Sequence, residues 1–134
     1  MIVSDVLKDV RILLAEDNVD LLEVLADGLE MFGAQTLRAQ NGQEGLNLLS
    51  SHQVDVIISD VRMPVMDGRE FLRALKNLNI AFPPFLFLTG FTDLTPEVAV
   101  AEGAAGMFYK PIRVEKLAQT AASILAERRK KQGK

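Results

Sequence analysis

Short apolar runs alternate with segments of helical periodicity along the whole chain. Two runs, RILLA and VIIS, are apolar throughout, which is typical of parallel strands that are covered by helices on both faces. The predicted strands are Arg11–Ala15, Thr36–Ala39, Val54–Ser59, Phe85–Thr89 and Met107–Tyr109. Five such strands separated by helices predict an α/β fold: a doubly wound parallel sheet with helices on both faces.

Apolar residues recur at helical spacing between the predicted strands. The first helix carries its apolar face on Leu22–Phe32, and we expect it to end at Gly33, where a left-handed cap fits. A shorter second helix spans Gly42–Ser50, and a third ends near Asn79. These helices fill the first three connections.

The remaining two helices have clear end signals. Thr95 followed by Pro96 predicts the cap and the first turn of a fourth helix, which Gly103 closes. The fifth helix begins at Val114 and is the longest. It ends in the cationic run Arg128–Lys131, which complements the helix dipole.

Composition excludes several classes of function. The 134 residues are 49% hydrophobic and 25% charged, as in an ordinary globular domain. With no cysteine and one histidine, disulfide scaffolds, thiol catalysis and Cys- or His-rich metal centres are not expected. No apolar run is long enough to span a membrane, and no signal peptide is recognisable, so we expect a cytoplasmic protein. A net charge of −3 does not favour nucleic-acid binding.

Polar residues that could take part in binding or catalysis directly follow or close several of the predicted strands. Glu16 and Asp17 follow the first strand, Asp60 follows the third, Thr89 closes the fourth and Lys110 follows the fifth. Because parallel strands end at the same edge of a sheet, these residues should meet there, where doubly wound folds place their sites. The pattern predicts one site with three carboxylates, a hydroxyl and an ammonium.

A cluster of three acids requires a cation. Two carboxylates ~4 Å apart repel by roughly 4 kcal/mol at an effective dielectric of 20, so one lysine is not enough. A hard divalent ion is the natural partner, and Mg²⁺ is the expected cofactor, with Mn²⁺ as an alternative. Asp17 and Asp60 fit as direct ligands, and Glu16 fits a position farther from the ion.

A carboxylate beside such an ion can attack a phosphoryl group. Lys110 would neutralise charge on the transferred oxygens, and Thr89 would donate a hydrogen bond to one of them. Asp60 is the better nucleophile because it ends the central strand and precedes a loop that opens a helix.

The chain closely resembles the receiver domain of two-component response regulators, of the chemotaxis-regulator type. The resemblance is carried by Glu16-Asp17, by the stretch DVRMPVMDG that starts at Asp60, by Thr89-Gly90 and by Lys110-Pro111. It extends from about Val10 to about Glu127. It therefore divides the chain into an N-terminal extension (1–9), a receiver domain (10–127) and a basic C-terminal tail (128–134).

The resemblance implies a flavodoxin-like (βα)5 fold with strand order 2-1-3-4-5 and a set of residue roles. Asp60 would be the phosphoacceptor, and Asp17, Asp60 and the backbone carbonyl of Arg62 would hold Mg²⁺. Thr89 would be the switch hydroxyl and Lys110 the phosphate-binding lysine, before a cis Pro111. Such a domain catalyses only its own phosphorylation and dephosphorylation, so no enzyme activity on other substrates is expected.

The resemblance also implies partners. The phosphoryl group would come from a sensor histidine kinase or a histidine phosphotransfer protein. The surface of the fourth helix, fifth strand and fifth helix would then signal to an output domain or a downstream protein, or form a homodimer. Whether the chain acts alone, as a relay, or as part of a larger regulator or hybrid kinase is left open by the sequence.

Two positions shape the expected switch. The family usually carries Tyr or Phe three residues before the lysine, where this chain has Met107, so softer coupling is expected, with Tyr109 or Phe91 taking part. Phe91, two residues after Thr89, is predicted to shield the phosphoryl group from water.

Other function classes fit less well. A magnesium-dependent phosphatase or phosphotransferase also forms an aspartyl phosphate, but it typically needs an acid two residues after the nucleophile, where this chain has Arg62. A flavin or nucleotide binder lacks its glycine-rich phosphate loop. A receiver that serves only as a non-phosphorylated scaffold is disfavoured because every site position is filled.

Overall fold

The computed structural model describes residues 4–90 and 94–132, in which five strands alternate with five helices. The strands are β1 (Arg11–Ala15), β2 (Gln35–Ala39), β3 (Val56–Ser59), β4 (Phe85–Thr89) and β5 (Gly106–Tyr109). The helices are α1 (Val19–Glu30), α2 (Gly42–Leu49), α3 (Gly68–Asn77), α4 (Pro96–Ala101) and α5 (Val114–Gln132).

The predicted strand bounds need three small corrections. β2 and β5 each begin one residue earlier than predicted, at Gln35 and Gly106. The prediction that the third strand begins at Val54 was wrong, since β3 begins at Val56. Asp55, just before β3, pairs with the first residue of β1: its N–H donates to the Arg11 carbonyl, and its carboxylate accepts from the Arg11 N–H.

All five strands are parallel in the order β2-β1-β3-β4-β5, which confirms the predicted fold and topology. Every residue of β3 and β4 is buried. This explains why their sequences are apolar without alternation, because both faces of these strands are covered.

The sheet separates two hydrophobic cores. Ile12 and Leu14 of β1 face the core under α1 and α5, whereas Leu13 and Ala15 face the core under α2, α3 and α4. In the second core Phe85 stacks edge-to-face with Phe71 and with Phe87, at centroid distances of 5.3 and 5.0 Å. The rings anchor α3 to the centre of the sheet.

The start predicted for α4 is confirmed, whereas α1 and α4 end a few residues before the glycines that were predicted to close them, at Glu30 and Ala101. Gly33 and Gly103 have φ of +98° and +113°, which only glycine adopts without strain. Thr95 caps α4 by accepting a hydrogen bond from the Val98 N–H, and Pro96 occupies the first turn. These residues allow the chain to turn sharply at the ends of α1 and α4.

Residues outside the predicted domain boundaries also contribute to the folded structure. Leu7 is fully buried in the core under α1 and α5, and its N–H donates to the Phe32 carbonyl. The cations Arg128–Lys131 lie within α5. The boundaries at residues 10 and 127 stay a prediction.

Within residues 4–90 and 94–132, none of the helices combines the length and the hydropathy that crossing a bilayer requires.

Candidate functional site

The carboxyl ends of β1, β3, β4 and β5 converge at one edge of the sheet. Three backbone hydrogen bonds extend the ladder beyond the strand ends: Glu16 N–H to the Ala39 carbonyl (2.9 Å), Asp60 N–H to the Ala15 carbonyl (2.9 Å) and Lys110 N–H to the Thr89 carbonyl (2.8 Å). Each residue that follows a strand therefore keeps the register of the sheet.

Lys110 joins the two buried carboxylates of the site. Its Nζ donates to Glu16 Oε1 at 2.6 Å and to Asp60 Oδ2 at 3.0 Å. Only 9% of Asp60 and 4% of Glu16 is exposed. The second oxygen of Asp60, Oδ1, accepts the Val61 N–H at 2.7 Å. The carboxylate is thus fixed in orientation but still reaches solvent.

Glu16 is positioned as a support for Lys110. Its Oε1 accepts from the lysine and its Oε2 accepts from the Asn18 N–H at 3.1 Å. Burial raises the pKa of Glu16, and the hydrogen bonds from Lys110 and Asn18 oppose that shift. The role predicted for Glu16, farther from an ion, agrees with both of its oxygens being occupied by donors.

Lys110 keeps its charge in this setting. Burial alone lowers the pKa of a lysine, but the hydrogen bonds to Glu16 and Asp60 outweigh burial and raise the pKa of Lys110 above its ordinary value. The site therefore holds a fixed positive charge beside the Asp60 carboxylate at neutral pH.

The side chains of Glu16, Asp17 and Asp60 lie close enough together to bind a cation. Carboxylate oxygens of Glu16, Asp17 and Asp60 all lie within 4.8 Å of one another. Asp17 is exposed, whereas the other two are buried. Mg²⁺ prefers carboxylate oxygens as ligands, so these three closely spaced side chains are chemically suited to hold it. The contribution of the Arg62 carbonyl stays a prediction.

Thr89 closes β4 at the same edge. It is 1% exposed, and its carbonyl accepts the Lys110 N–H, which ties the hydroxyl-bearing residue to the lysine. The Lys110–Pro111 peptide bond is cis, as predicted. Phe91, the predicted shield, lies outside the described residues. Met107 is buried in the core under α2, α3 and α4.

The loop after Asp60 is held by a close approach that sequence reasoning missed. A Cβ added at Gly68 would lie 2.1 Å from the Asp60 carbonyl oxygen, so only glycine fits there. The Gly68 N–H donates to the Val61 carbonyl at 2.8 Å, and Asp67 and Glu70 form a capping box around the same turn. The signal in the sequence was a glycine at the first position of a helix, which has low helix propensity.

A second missed contact links β5 to the start of α4. The Tyr109 hydroxyl donates to the Leu94 carbonyl at 3.3 Å. Leu94 directly precedes Thr95, the cap of α4. An exposed aromatic at a strand end carries no sequence signal of which backbone carbonyl it reaches.

Comparisons with known proteins agree with this arrangement. Residues 12–122 match the family described as the response regulator receiver domain. The chain is 31% identical over 123 residues to the sensor histidine kinase RcsC of Salmonella typhi, which covers 92% of this chain and 13% of the kinase. It is 29% identical over 118 residues to the polar-differentiation response regulator DivK of Brucella anthropi, covering 87% of this chain and 96% of DivK.

A solved structure gives the same result. The chemotaxis response regulator CheY4 of Vibrio cholerae superposes with a TM-score of 0.75 at 34% identity, covering 86% of this chain and 98% of CheY4. This chain thus spans only a small part of the length of the sensor histidine kinase and nearly the whole length of the two regulators.

Proposed function

The chain belongs to the response regulator receiver domain family, and from that premise we propose that it accepts a phosphoryl group on Asp60 from the phosphohistidine of a partner protein. The observation that carries the proposal is the contact between Lys110 Nζ and Asp60 Oδ2 at 3.0 Å, in a buried site with two further acids. An aspartate that only ends a strand does not require a partly buried lysine and two neighbouring carboxylates.

The transfer is a displacement at phosphorus. An Asp60 carboxylate oxygen attacks the phosphorus atom, the P–O bond forms, and the P–N bond to the donor imidazole breaks. The bonding electrons and a proton stay with the leaving imidazole. Lys110 remains protonated throughout, because its raised pKa keeps the ammonium charged beside the incoming oxygens.

The other residues orient and balance charge. Glu16 holds Lys110 against Asp60 through the 2.6 Å contact, and Thr89 donates its hydroxyl to a phosphoryl oxygen. Asp17, Asp60 and the Arg62 carbonyl would hold Mg²⁺, or Mn²⁺ in its place, and this ion supplies positive charge that neutralises the phosphoryl oxygens. We propose that the domain acts on no substrate other than its own aspartate.

The partners follow from the same chemistry. A sensor histidine kinase or a histidine phosphotransfer protein supplies the phosphohistidine. The surface of α4, β5 and α5 reports the modification to an output domain, a downstream protein or a second copy of the chain. A cytoplasmic location would give the site access to these donors. The net charge of −3 does not favour direct contact with nucleic acid.

Intact-mass spectrometry tests the proposal. Acetyl phosphate and Mg²⁺ should add one phosphoryl group to the wild type and none to Asp60→Asn. The control Asp20→Asn removes an exposed carboxylate from the first turn of α1 and should be modified like the wild type. An adduct that persists in Asp60→Asn, or wild-type protein that gains no mass, would overturn the proposal.

A further inference from the structure

Tyr109 lies between two residues of the site. It is the last residue of β5, is in register with Thr89 of β4, and directly precedes Lys110. It is also the single tyrosine of a chain that has no tryptophan. Its backbone is therefore coupled on one side to the buried hydroxyl residue and on the other to the lysine that contacts Asp60.

The strand orients this side chain toward α4. Side chains alternate along a strand, and Phe108 packs against the core under α1 and α5, whereas Met107 belongs to the core under α2, α3 and α4. Tyr109 shares the face of Met107. Thr89 shares the face of Phe87, which belongs to the same second core. The ring of Tyr109 and the side chain of Thr89 are thus lateral neighbours on one face of the sheet.

The ring reaches the beginning of α4. Its hydroxyl donates to the carbonyl of Leu94, which is fully buried, while 46% of Tyr109 is exposed. Leu94 precedes Thr95, whose hydroxyl caps α4 through the Val98 N–H at 3.2 Å. One hydrogen bond therefore ties the end of β5, beside the site, to the residue before the helix cap.

The geometry of this bond allows it to respond to the site. At 3.3 Å it is longer than the roughly 2.5–3.0 Å of a typical O–H···O bond, so a small displacement either tightens or breaks it. A shift of the Lys110 backbone toward a group bound at Asp60 would also move Tyr109, the adjoining residue in the chain. Leu94 is packed in the second core and directly precedes the cap of α4, so its carbonyl gives the Tyr109 hydroxyl a link to the start of that helix.

We propose that Tyr109 is a positioning residue that couples occupancy of Asp60 to the start of α4 through its bond to Leu94. The inference rests on the proposed function, because it needs a ligand at Asp60. Occupancy can bias α4 only by the difference in its contacts between two arrangements, and the Tyr109 bond is one such contact.

Two measurements on the full chain test the inference. Because Tyr109 is the single tyrosine, tyrosine fluorescence of the wild type reports this residue alone. Titration with beryllofluoride in Mg²⁺ should change the fluorescence with the same midpoint as the NMR shift of the Val61 amide, which donates to Asp60.

The variant Tyr109→Phe keeps the ring and removes the hydroxyl. Its Val61 amide should still shift, with a midpoint within about fivefold of the wild type, while the shifts of the amides of Val98–Ala101 fall by about half or more. The control Thr120→Val removes an exposed hydroxyl-to-carbonyl bond on α5 and should keep the full response at α4.

The outcomes separate the two proposals. A role limited to anchoring the loop would lower the melting temperature of Tyr109→Phe but leave the α4 response at its wild-type size, and this would overturn the inference. So would a Val61 shift in the wild type without any change in tyrosine fluorescence. If the Val61 amide of the wild type does not respond to beryllofluoride, the proposed function fails and this inference fails with it.

Discussion

Replacing Gly68 by alanine probes how the phosphoacceptor loop is held. Gly68 is the first residue of α3, and a Cβ there would lie 2.1 Å from the Asp60 carbonyl oxygen and 3.1 Å from Phe87 Cε1. A carbon and a carbonyl oxygen need roughly 3.3 Å, so alanine is about 1.2 Å too close. The clash involves backbone, which no rotamer change can relieve.

The cost follows from what must move. Asp60 is held by its bond to the Ala15 carbonyl and Gly68 by its bond to the Val61 carbonyl, so separating them strains or breaks a backbone hydrogen bond. Overpacking costs about 1–3 kcal/mol and a lost hydrogen bond about 0.5–1.5 kcal/mol, whereas alanine recovers about 1 kcal/mol of helix propensity. We expect a net loss of about 2 kcal/mol, or a melting temperature lower by about 8 °C.

We expect Gly68→Ala to slow phosphorylation of Asp60 more than it lowers the stability of the fold. A misplacement of ~1 Å at a reacting group can slow a reaction on the order of 10²-fold, so phosphorylation of Gly68→Ala from acetyl phosphate should be at least about tenfold slower. Urea unfolding and timed intact-mass spectrometry measure the two effects. Gly90→Ala is the matched stability control, because a Cβ at Gly90 has no atom within 4 Å among the described residues.

The reasoning is refuted if Gly68→Ala unfolds at the same urea concentration as the wild type and is phosphorylated at the same rate. A loss of stability in Gly90→Ala equal to that of Gly68→Ala would also refute it, because open space carries no clash.

Three further predictions concern the ion, one ion pair and the shield. Mg²⁺ at 100 times its Kd should stabilise the wild type by about 2.7 kcal/mol, and Asp17→Asn should lose most of that gain; thermal melts of the wild type that ignore Mg²⁺ would contradict the site. The hydrogen bonds from Arg69 lower the pKa of Glu102, so they stabilise the fold above the unfolded pKa of the carboxyl and are lost as pH falls through the folded pKa. Glu102→Gln should therefore cost up to about 1 kcal/mol at neutral pH and less below about pH 4, and a difference that stays constant into acid would argue against this link. Phe91→Ala should shorten the lifetime of the phosphoryl group, since water gains access; an unchanged or longer half-life would remove Phe91 from that role.

Local sequence signals determined the fold and the membership of the site. Runs such as Phe85–Thr89 are apolar enough to require burial on both faces, and caps such as Gly33 and Thr95 end or begin helices through contacts within a few residues. Once the strands are parallel, their carboxyl ends must meet at one edge. The convergence of Asp60 and Lys110 therefore follows from chain order alone.

The tertiary structure alone decided which atoms of the site touch. Glu16 and Lys110 are 94 positions apart, and nothing local to either residue indicates that the lysine occupies one of the Glu16 oxygens. The approach of Gly68 to the Asp60 carbonyl and the reach of Tyr109 to Leu94 depend on how α3 and α4 pack against the sheet. Residue type and period specify which face a side chain occupies. Its hydrogen-bond partner depends on differences of a few tenths of an ångström in the distance between distant segments, and these distances are fixed only after the helices have packed.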